Sequence, residues 1–212
     1  SGTTKTAGLS YTITDNAGNS TTCSKTANVY VDKNAPSCSF SGESTSWTNS
    51  NRTITATCSD SGSGCTSGTT SKQWAYTSGT TKTAGLSYTI TDNAGNSTTC
   101  SKTANVYVDK DAPSVTCSIG SDNGYKSNNA FFAVCNDTGS GCINSASDSA
   151  YSTFYPRISG FGATTFTNVK MTPDSLGKIS WSWPYAGSVT VTASYYDHVG
   201  NSSTCTQTVT GS

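Results

Sequence analysis

The sequence has little charge, and the charge that it has is balanced. Only 11% of its 212 residues are charged, with twelve Lys or Arg against twelve Asp or Glu, and there is one histidine. Such a chain has no excess of positive charge to attract nucleic acid or an anionic lipid surface. No run approaches the roughly 20 apolar residues that a membrane-spanning helix needs. We therefore expect no nucleic-acid partner and no membrane span in this segment.

Residues that favour helices are also scarce. Glu occurs only as Glu43 and Met only as Met171, whereas Ser, Thr and Tyr are abundant. Long helices draw on Ala, Leu, Glu, Lys, Gln and Arg, while Thr, Val and Tyr favour strands. The composition therefore predicts an all-β protein with virtually no helix.

The chain contains an internal repeat. Residues 1–33 recur without change as residues 78–110. A third, divergent copy aligns through its cysteines and glycines, since Cys58-Ser-Asp-Ser-Gly-Ser-Gly-Cys65 matches Cys135-Asn-Asp-Thr-Gly-Ser-Gly-Cys142. Repetition of this kind indicates a tandem array of one structural unit.

The boundaries between these units fall at two similar linkers. Both linkers end in Ala-Pro, at Pro36 and Pro113, and proline cannot continue a central strand ladder. We therefore predict the C-terminal part of an incomplete module at 1–36, a complete module at 37–113 and an enlarged, divergent terminal module at 114–212.

Apolar residues alternate with polar ones within the complete module. Residues 52–58 place Ile54, Ala56 and Cys58 on one face, and residues 86–92 repeat the pattern. Alternation with a polar opposite face is what two antiparallel sheets packed face to face require. About 77 residues is also a suitable size for one β-sandwich.

The most specific motif is a strand followed by the turn Asp92-Asn-Ala-Gly-Asn96, and then a last strand and the linker Asp109-Lys-Asp-Ala-Pro113. In these features the chain resembles the bacterial immunoglobulin-like repeats of large secreted and surface-anchored proteins. The resemblance implies tandem immunoglobulin-like β-sandwich modules that act as a stalk, spacer or adhesin outside a bacterial cell. Four cysteines per module depart from the usual cysteine-poor pattern of such repeats.

Nine cysteines in so polar a chain predict a disulfide framework and an oxidising compartment. The two pairs that flank short Gly- and Ser-rich loops are expected to close locally. Cys100 falls on the last strand of its module, and first and last strands commonly adjoin in these sandwiches, so a cysteine on the first strand is its expected partner. The predicted disulfides are Cys58–Cys65, Cys135–Cys142, Cys38–Cys100 and Cys117–Cys205.

Cys23 is left over by this pairing. It corresponds to Cys100, and the apolar residues around it, such as Tyr11 and Ile13, lack the first strands of a sandwich to cover them. Two explanations remain open. Either the chain is cut from a longer array, or a neighbouring molecule supplies the missing strands and with them a thiol for Cys23.

Recurring aspartates form the candidate cofactor site. In an immunoglobulin-like sandwich the start of the module, the loop after its second strand and its final hairpin turn gather at one end. Hard cations take six to eight oxygen ligands, so calcium is the candidate cofactor. Alternatively, these side chains accept backbone N–H bonds and hold their turns. The residues concerned are Asp32, Asp60, Asp92, Asp109, Asp111, Asp137 and Asp197.

Aromatic residues crowd into the enlarged part of the last module. Trp181 and Trp183 are two residues apart on a predicted strand and so share a face, with Tyr185 following them. Facing outward, they would form a platform that stacks on a sugar ring. Facing inward, they would enlarge the core.

No residue pattern indicates catalysis. The single histidine, His198, occupies the turn position that Asn93 occupies in the sister module. A general base would not be expected at a turn position where the other copy has asparagine. We therefore expect a non-enzymatic structural, stalk or fibre region of a bacterial surface protein, located at the cell surface or in a secreted filament. The enlarged terminal module is the expected adhesive or assembly surface. Its expected partners are neighbouring modules or other copies of the same protein, and a host or cell-surface glycan. The alternatives are a carbohydrate-binding adhesin and a self-assembling appendage subunit or phage decoration or fibre module.

Overall fold

The computed structural model of the protein describes residues 4–120, 130–162, 166–183 and 186–211. Within these residues the chain forms fourteen strands and one short 3-10 turn, Ser67–Thr69, and no α-helix. The predicted all-β class is confirmed. The strands are β1 Thr4–Thr14, β2 Ser20–Val31, β3 Ser37–Ser41, β4 Arg52–Ser59, β5 Ser71–Tyr76, β6 Thr80–Thr91, β7 Ser97–Asp109, β8 Ser114–Gly120, β9 Ala130–Asn136, β10 Arg157–Gly162, β11 Phe166–Lys170, β12 Lys178–Ser182, β13 Gly187–Tyr196 and β14 Ser202–Gly211.

The chain divides into two compact units. The first consists of Ser1–Glu43, Thr53–Ala75 and Ala84–Ala104, and the second of Ser44–Arg52, Tyr76–Thr83 and Asn105–Ser212. Five sheets are distributed over these segments in the described part of the chain. Their strand orders are β1-β2, β3-β4-β5, β6-β7, β12-β9-β8 and β11-β10-β13-β14.

In the first unit, strand β3 is bonded to strand β7 by the disulfide Cys38–Cys100. The buried apolar residues come from strands of period two, as the sequence predicts. Leu86 and Ile90 of β6 are buried, as are Ile54 and Ala56 of β4. The β1-β2 hairpin of the same unit is different, because most of its large apolar side chains are exposed.

In the second unit, two sheets share one core. Strand β13 shows the alternation most clearly, with Val189, Val191, Ala193 and Tyr195 buried and Ser or Thr between them. Its sheet and the β12-β9-β8 sheet contribute to the same cluster of buried residues, which is the arrangement of a β-sandwich. The disulfide Cys117–Cys205 joins β8 to β14.

Tyr195 carries the main polar contact of this core. Its hydroxyl lies 3.0 Å from the Ala133 carbonyl and 2.9 Å from the Gly177 carbonyl, and it accepts the Ile179 N–H at 3.1 Å. Burial raises the pKa of the Tyr195 hydroxyl to about 12. The buried hydroxyl therefore remains protonated and ties β13 to β9 and β12.

Candidate functional site

The recurring aspartates come together in two groups of three. We call Asp32, Asp60 and Asp92 the first acid triad, and Asp109, Asp137 and Asp197 the second acid triad. In each triad, one carboxylate oxygen from every member lies within 4.8 Å of those of the other two. The first triad lies in the first compact unit and the second triad in the second. Six of the seven aspartates that the sequence singles out are thus placed in triads.

The seventh, Asp111, lies beside the second triad but is not a member of it. Its side chain is within hydrogen-bond distance of the Thr80 hydroxyl, at 2.8 Å, and that hydroxyl also lies 2.7 Å from Oδ1 of Asp109. Asp111 is exposed, whereas Asp109 is buried. Thr80 therefore connects the linker to the triad.

The middle aspartate of each triad shapes the loop closed by the short disulfide. Oδ2 of Asp60 accepts the N–H groups of Gly62 and Gly64 at 3.1 and 2.7 Å. Oδ2 of Asp137 accepts those of Gly139 and Gly141 at 3.2 and 2.6 Å. Aspartate bonding its own backbone two residues on is a common turn device.

The third aspartate of each triad closes the hairpin turn. Oδ1 of Asp92 accepts the N–H groups of Ala94 and Asn96 at 2.9 and 2.8 Å. Gly95 in this turn has a φ of 90°, a conformation that favours glycine. Asp197 makes the same contacts to Val199 and Asn201. Each of these aspartates also forms an isolated bridge with the second cysteine of the short disulfide, Cys65 or Cys142.

The first aspartate of each triad comes from the preceding linker. Oδ2 of Asp32 accepts the N–H of Ser63 at 2.6 Å, and Asp109 accepts the N–H of Ser140 at 2.7 Å. A Cβ atom on Gly62 would overlap the Asp32 carboxylate. The Gly-Ser-Gly segment of the loop therefore supplies both the N–H donor and the space that the linker carboxylate needs.

In each triad the linker aspartate, the disulfide loop and the hairpin turn meet, and we call these meeting points the first and second junctions. Two asparagines that were not among the predicted site residues complete them. The Asn96 amide donates to Oδ2 of Asp92 at 2.7 Å and to the Asp32 carbonyl at 3.2 Å. Asn201 donates to Asp197 at 2.6 Å and to the Asp109 carbonyl at 3.1 Å. The signal for them was the Asp-x-x-Gly-Asn spacing, which recurs in both turns.

Burial and charge act differently on two members of the second triad. Burial raises the pKa of Asp197, and the negative charge of Asp109 raises it further. Hydrogen bonds from Asn201 and Val199 lower it by less, so the net shift is upward. Burial also acts on Asp109, but hydrogen bonds from Ser140, Thr80 and the Asp111 N–H outweigh it, and its pKa is lowered. Neither ion pair in the described part of the chain includes a carboxylate of this triad.

The donor set of each triad suits a hard divalent cation. All three side chains offer carboxylate oxygens, the ligand type that Ca²⁺ prefers. A carboxylate has about four lone-pair positions, and Asp60 uses two of them for the loop N–H groups. The residues present therefore fit such an ion, which would be held by the three aspartates and would compensate their charge.

His198 takes part in the second junction. Its Nδ1 lies 2.7 Å from the Gly141 carbonyl and its Nε2 lies 2.6 Å from Oδ2 of Asp148. At the equivalent position of the first junction, Asn93 donates to the Ser63 carbonyl at 2.9 Å. Both side chains thus bind the disulfide loop, and the contact with Asp148 is an addition that the sequence did not indicate.

The tryptophans singled out for sugar binding are part of the second unit's core. Trp183 is only 4% exposed, and Trp181 is partly buried against the same cluster. Their ring centroids are 5.8 Å apart, with an interplanar angle of 35°. Tyr185 lies outside the described residues. The placement of the two tryptophans matches the inward-facing alternative.

The cysteines form the same four pairs that the sequence predicts. Cys23 is exposed and has a free thiol. In the described residues, the disulfides are Cys38–Cys100, Cys58–Cys65, Cys117–Cys205 and Cys135–Cys142. They indicate a protein of a compartment other than the cytoplasm.

Comparison of the chain with known protein families and with curated proteins finds no match. No helix in the described part of the chain has the length and apolar character that crossing a membrane would take.

Proposed function

We propose that this chain is a non-enzymatic, extracellular structural region of a bacterial surface protein, serving as a stalk or fibre. In this proposal it consists of tandem immunoglobulin-like modules with boundaries at 1–36, 37–113 and 114–212. The observation that carries the proposal is the repeated junction. A linker aspartate is bound by the next disulfide loop at Asp32 and again, 77 positions on, at Asp109.

The long disulfides support a mechanical role. When tension is applied to the two ends of the chain, the bond Cys38–Cys100 carries it past the segment between the two cysteines, which are 62 positions apart. The bond Cys117–Cys205 does the same for two cysteines that are 88 positions apart. Most of the strands therefore lie outside the covalent path of the force and are protected from being pulled apart.

Calcium at the acid triads would strengthen the same role. Each triad joins a linker residue, a disulfide loop and a hairpin turn, so an ion bound there would fasten all three together. Asp109 and Asp197 are fully buried, and a divalent cation would offset the repulsion between their charges. The proposed cofactor is therefore structural and has no catalytic part.

The carbohydrate-binding alternative has less support. It requires an accessible aromatic platform, whereas Trp183 is buried and Trp181 packs beside it. In this arrangement a sugar ring cannot stack on Trp183.

Single-molecule stretching of the whole chain between its ends tests the mechanical role. At about 3.3–3.6 Å per extended residue, reduction should add about 200 Å of extension from the Cys38–Cys100 loop and about 300 Å from the Cys117–Cys205 loop. The oxidised chain should resist unfolding at forces that extend the reduced chain. Equal extension of both forms at equal force would contradict the proposal.

A further inference from the structure

Two hairpins of identical sequence have different surroundings in this protein. Leu9 and Ile13 of β1 are 56% and 51% exposed, while their counterparts in β6, Leu86 and Ile90, are 4% and 0% exposed. Cys23 is exposed as well, whereas the equivalent Cys100 is 3% exposed. Because the two sequences do not differ, the cause of the difference is what covers each hairpin.

The β6-β7 hairpin shows what the covering element is. Strand β3 of the β3-β4-β5 sheet is bonded to it through Cys38–Cys100. Strand β5 contributes Trp74, whose ring meets Tyr88 edge-on at a centroid distance of 6.4 Å. An isolated two-stranded hairpin is only marginally stable in water. The β3-β4-β5 sheet packs against the apolar face of β6-β7 and so removes it from solvent.

We propose that the exposed face of β1-β2 is a docking surface for a three-stranded antiparallel sheet of the same kind as β3-β4-β5. The docked sheet carries, in its first strand, a cysteine that forms a disulfide with Cys23. In forming this bond, the two thiols lose two protons and two electrons to a small-molecule disulfide, which is reduced to two thiols. The face that becomes buried includes Leu9, Tyr11, Ile13, Val29 and Val31.

A second copy of this chain does not meet the requirement. Its β3-β4-β5 sheet is already bonded to its own β6-β7 hairpin. If this sheet moved to the β1-β2 hairpin of another copy, it would cover that hairpin but expose its own β6-β7 hairpin. Because the two hairpins have the same sequence, the exchange would bury no additional apolar surface. The partner is therefore a sheet of this type that has no hairpin of its own.

The test extends the full chain by a second copy of residues 37–77, placed directly before Ser1. The new junction then has the same sequence as the Thr77–Ser78 junction. In a glutathione redox buffer, the extended chain should contain no reactive thiol, whereas the original chain contains one. Amide hydrogen exchange in β1 and β2 should slow on the order of 100-fold or more. A thiol that still reacts, with exchange unchanged, would overturn the proposal.

Two matched variants of the extended chain examine the buried face. Ile13→Ser should abolish the slowed exchange, because Ile13 corresponds to the fully buried Ile90. Thr12→Ser should retain it, because the corresponding Thr89 is exposed. Full protection in the Ile13→Ser variant would show that this face is not the docking surface and would overturn the proposal.

The original chain, carrying Cys23→Ser to prevent chance disulfides, tests the exclusion of a second copy. It should remain monomeric in sedimentation as its concentration rises, and a dimer with protected β1 and β2 amides would overturn the choice of partner. The inference rests on the repeated hairpin and not on the mechanical role, so thiol and exchange results can fail while the stretching result stands.

Discussion

Asp109 accepts the backbone N–H of Ser140 at 2.7 Å, so a residue of the linker is held by the disulfide loop that follows it. The same bond joins Asp32 to Ser63 at 2.6 Å. Both loops contain the sequence Gly-Ser-Gly and are closed by a disulfide of seven-residue separation. The aspartates therefore have a structural task even without an ion, and a cation would act on a junction that hydrogen bonds have already formed.

Calcium is expected to raise the unfolding temperature of the chain, and excess EDTA should reverse the effect. One carboxylate oxygen from each member of a triad lies within 4.8 Å of those of the other two, and a divalent cation would remove the repulsion between the carboxylates. At a free concentration of 100 times Kd, one site contributes about 2.7 kcal/mol to the free energy of unfolding. Thermal unfolding and titration calorimetry measure the effect.

Asp92→Asn and Asp15→Asn form a matched pair for this prediction. Both residues begin the same Asp-Asn-Ala-Gly-Asn turn, and Asp15 accepts equivalent bonds from Ala17 and Asn19. Asp92 belongs to a triad and is buried, whereas Asp15 is exposed. Only Asp92→Asn should reduce the calcium effect. Calcium that gives neither heat nor a shift in unfolding temperature would exclude the site.

Asp197→Asn should make the metal-free chain more sensitive to acid. The pKa of Asp109 is lowered from its ordinary 3.8, so its stabilising contribution is present above that value and is lost as the pH falls through the folded-state pKa. The pKa of Asp197 is raised, so protonation of this group favours the folded state on acidification. Removing Asp197 removes this compensation.

Urea unfolding in EDTA at several pH values between about 5 and 3 measures this difference. The free energy of unfolding should fall more steeply with decreasing pH in the Asp197→Asn variant than in the unmodified chain. A shallower fall would mean that the two shifts have been assigned the wrong sign. Carboxyl NMR titration of both residues provides an independent check.

Gly62→Ala should destabilise the first unit, because the added Cβ atom would overlap the Asp32 carboxylate. Overpacking of this kind typically costs about 1–3 kcal/mol. Gly68→Ala is the matched control, since nothing lies within 4 Å of a Cβ atom at that position. Chemical unfolding of the two variants should separate them. Equal stability would show that the linker carboxylate does not need this space.

The strands and the disulfide pairs could be predicted because they depend on local periodicity and on repeated spacing. The pairing of Cys38 with Cys100 follows from the strands on which they lie, and the position of Asp92 in a turn follows from its motif. The His198–Asp148 contact could not be predicted, because Asp148 lies 50 positions away in the enlarged part of the last module, which has no counterpart in the other copies. The burial of Trp183 was also undecided, since alternation defines a shared face without showing whether that face is covered.

Tyr195→Phe should cost about 1–3 kcal/mol of stability. The variant leaves the Ile179 N–H and the carbonyls of Ala133 and Gly177 without the hydroxyl that they contact in the core, and an unsatisfied buried polar group is expensive. Tyr196→Phe is the control because Tyr196 is only half-buried and its ring contacts do not involve the hydroxyl. The control should change stability by less than about 0.5 kcal/mol.

Alkaline titration of the same tyrosine gives a second measure. Because burial raises its folded-state pKa to about 12, its contribution to stability is complete below the ordinary value of 10 and is lost as the pH rises through about 12. Tyrosinate absorbance should show a late step near pH 12 that is missing in Tyr195→Phe. A late step of equal size in both proteins would contradict the assignment.

The long disulfides should stabilise the chain more than the short ones. In the loop-entropy account, closing the 62-residue loop of Cys38–Cys100 contributes about 4 kcal/mol and closing the seven-residue loop of Cys58–Cys65 about 2.5 kcal/mol. Replacing each pair by serine and measuring urea unfolding tests this order. A larger loss from the short pair would mean that Cys58–Cys65 acts mainly by holding Asp60 and the Gly-Ser-Gly segment in place for the linker carboxylate. In that case Gly62→Ala should cause little further loss of stability in a chain that lacks the Cys58–Cys65 disulfide, because both changes would break the same junction.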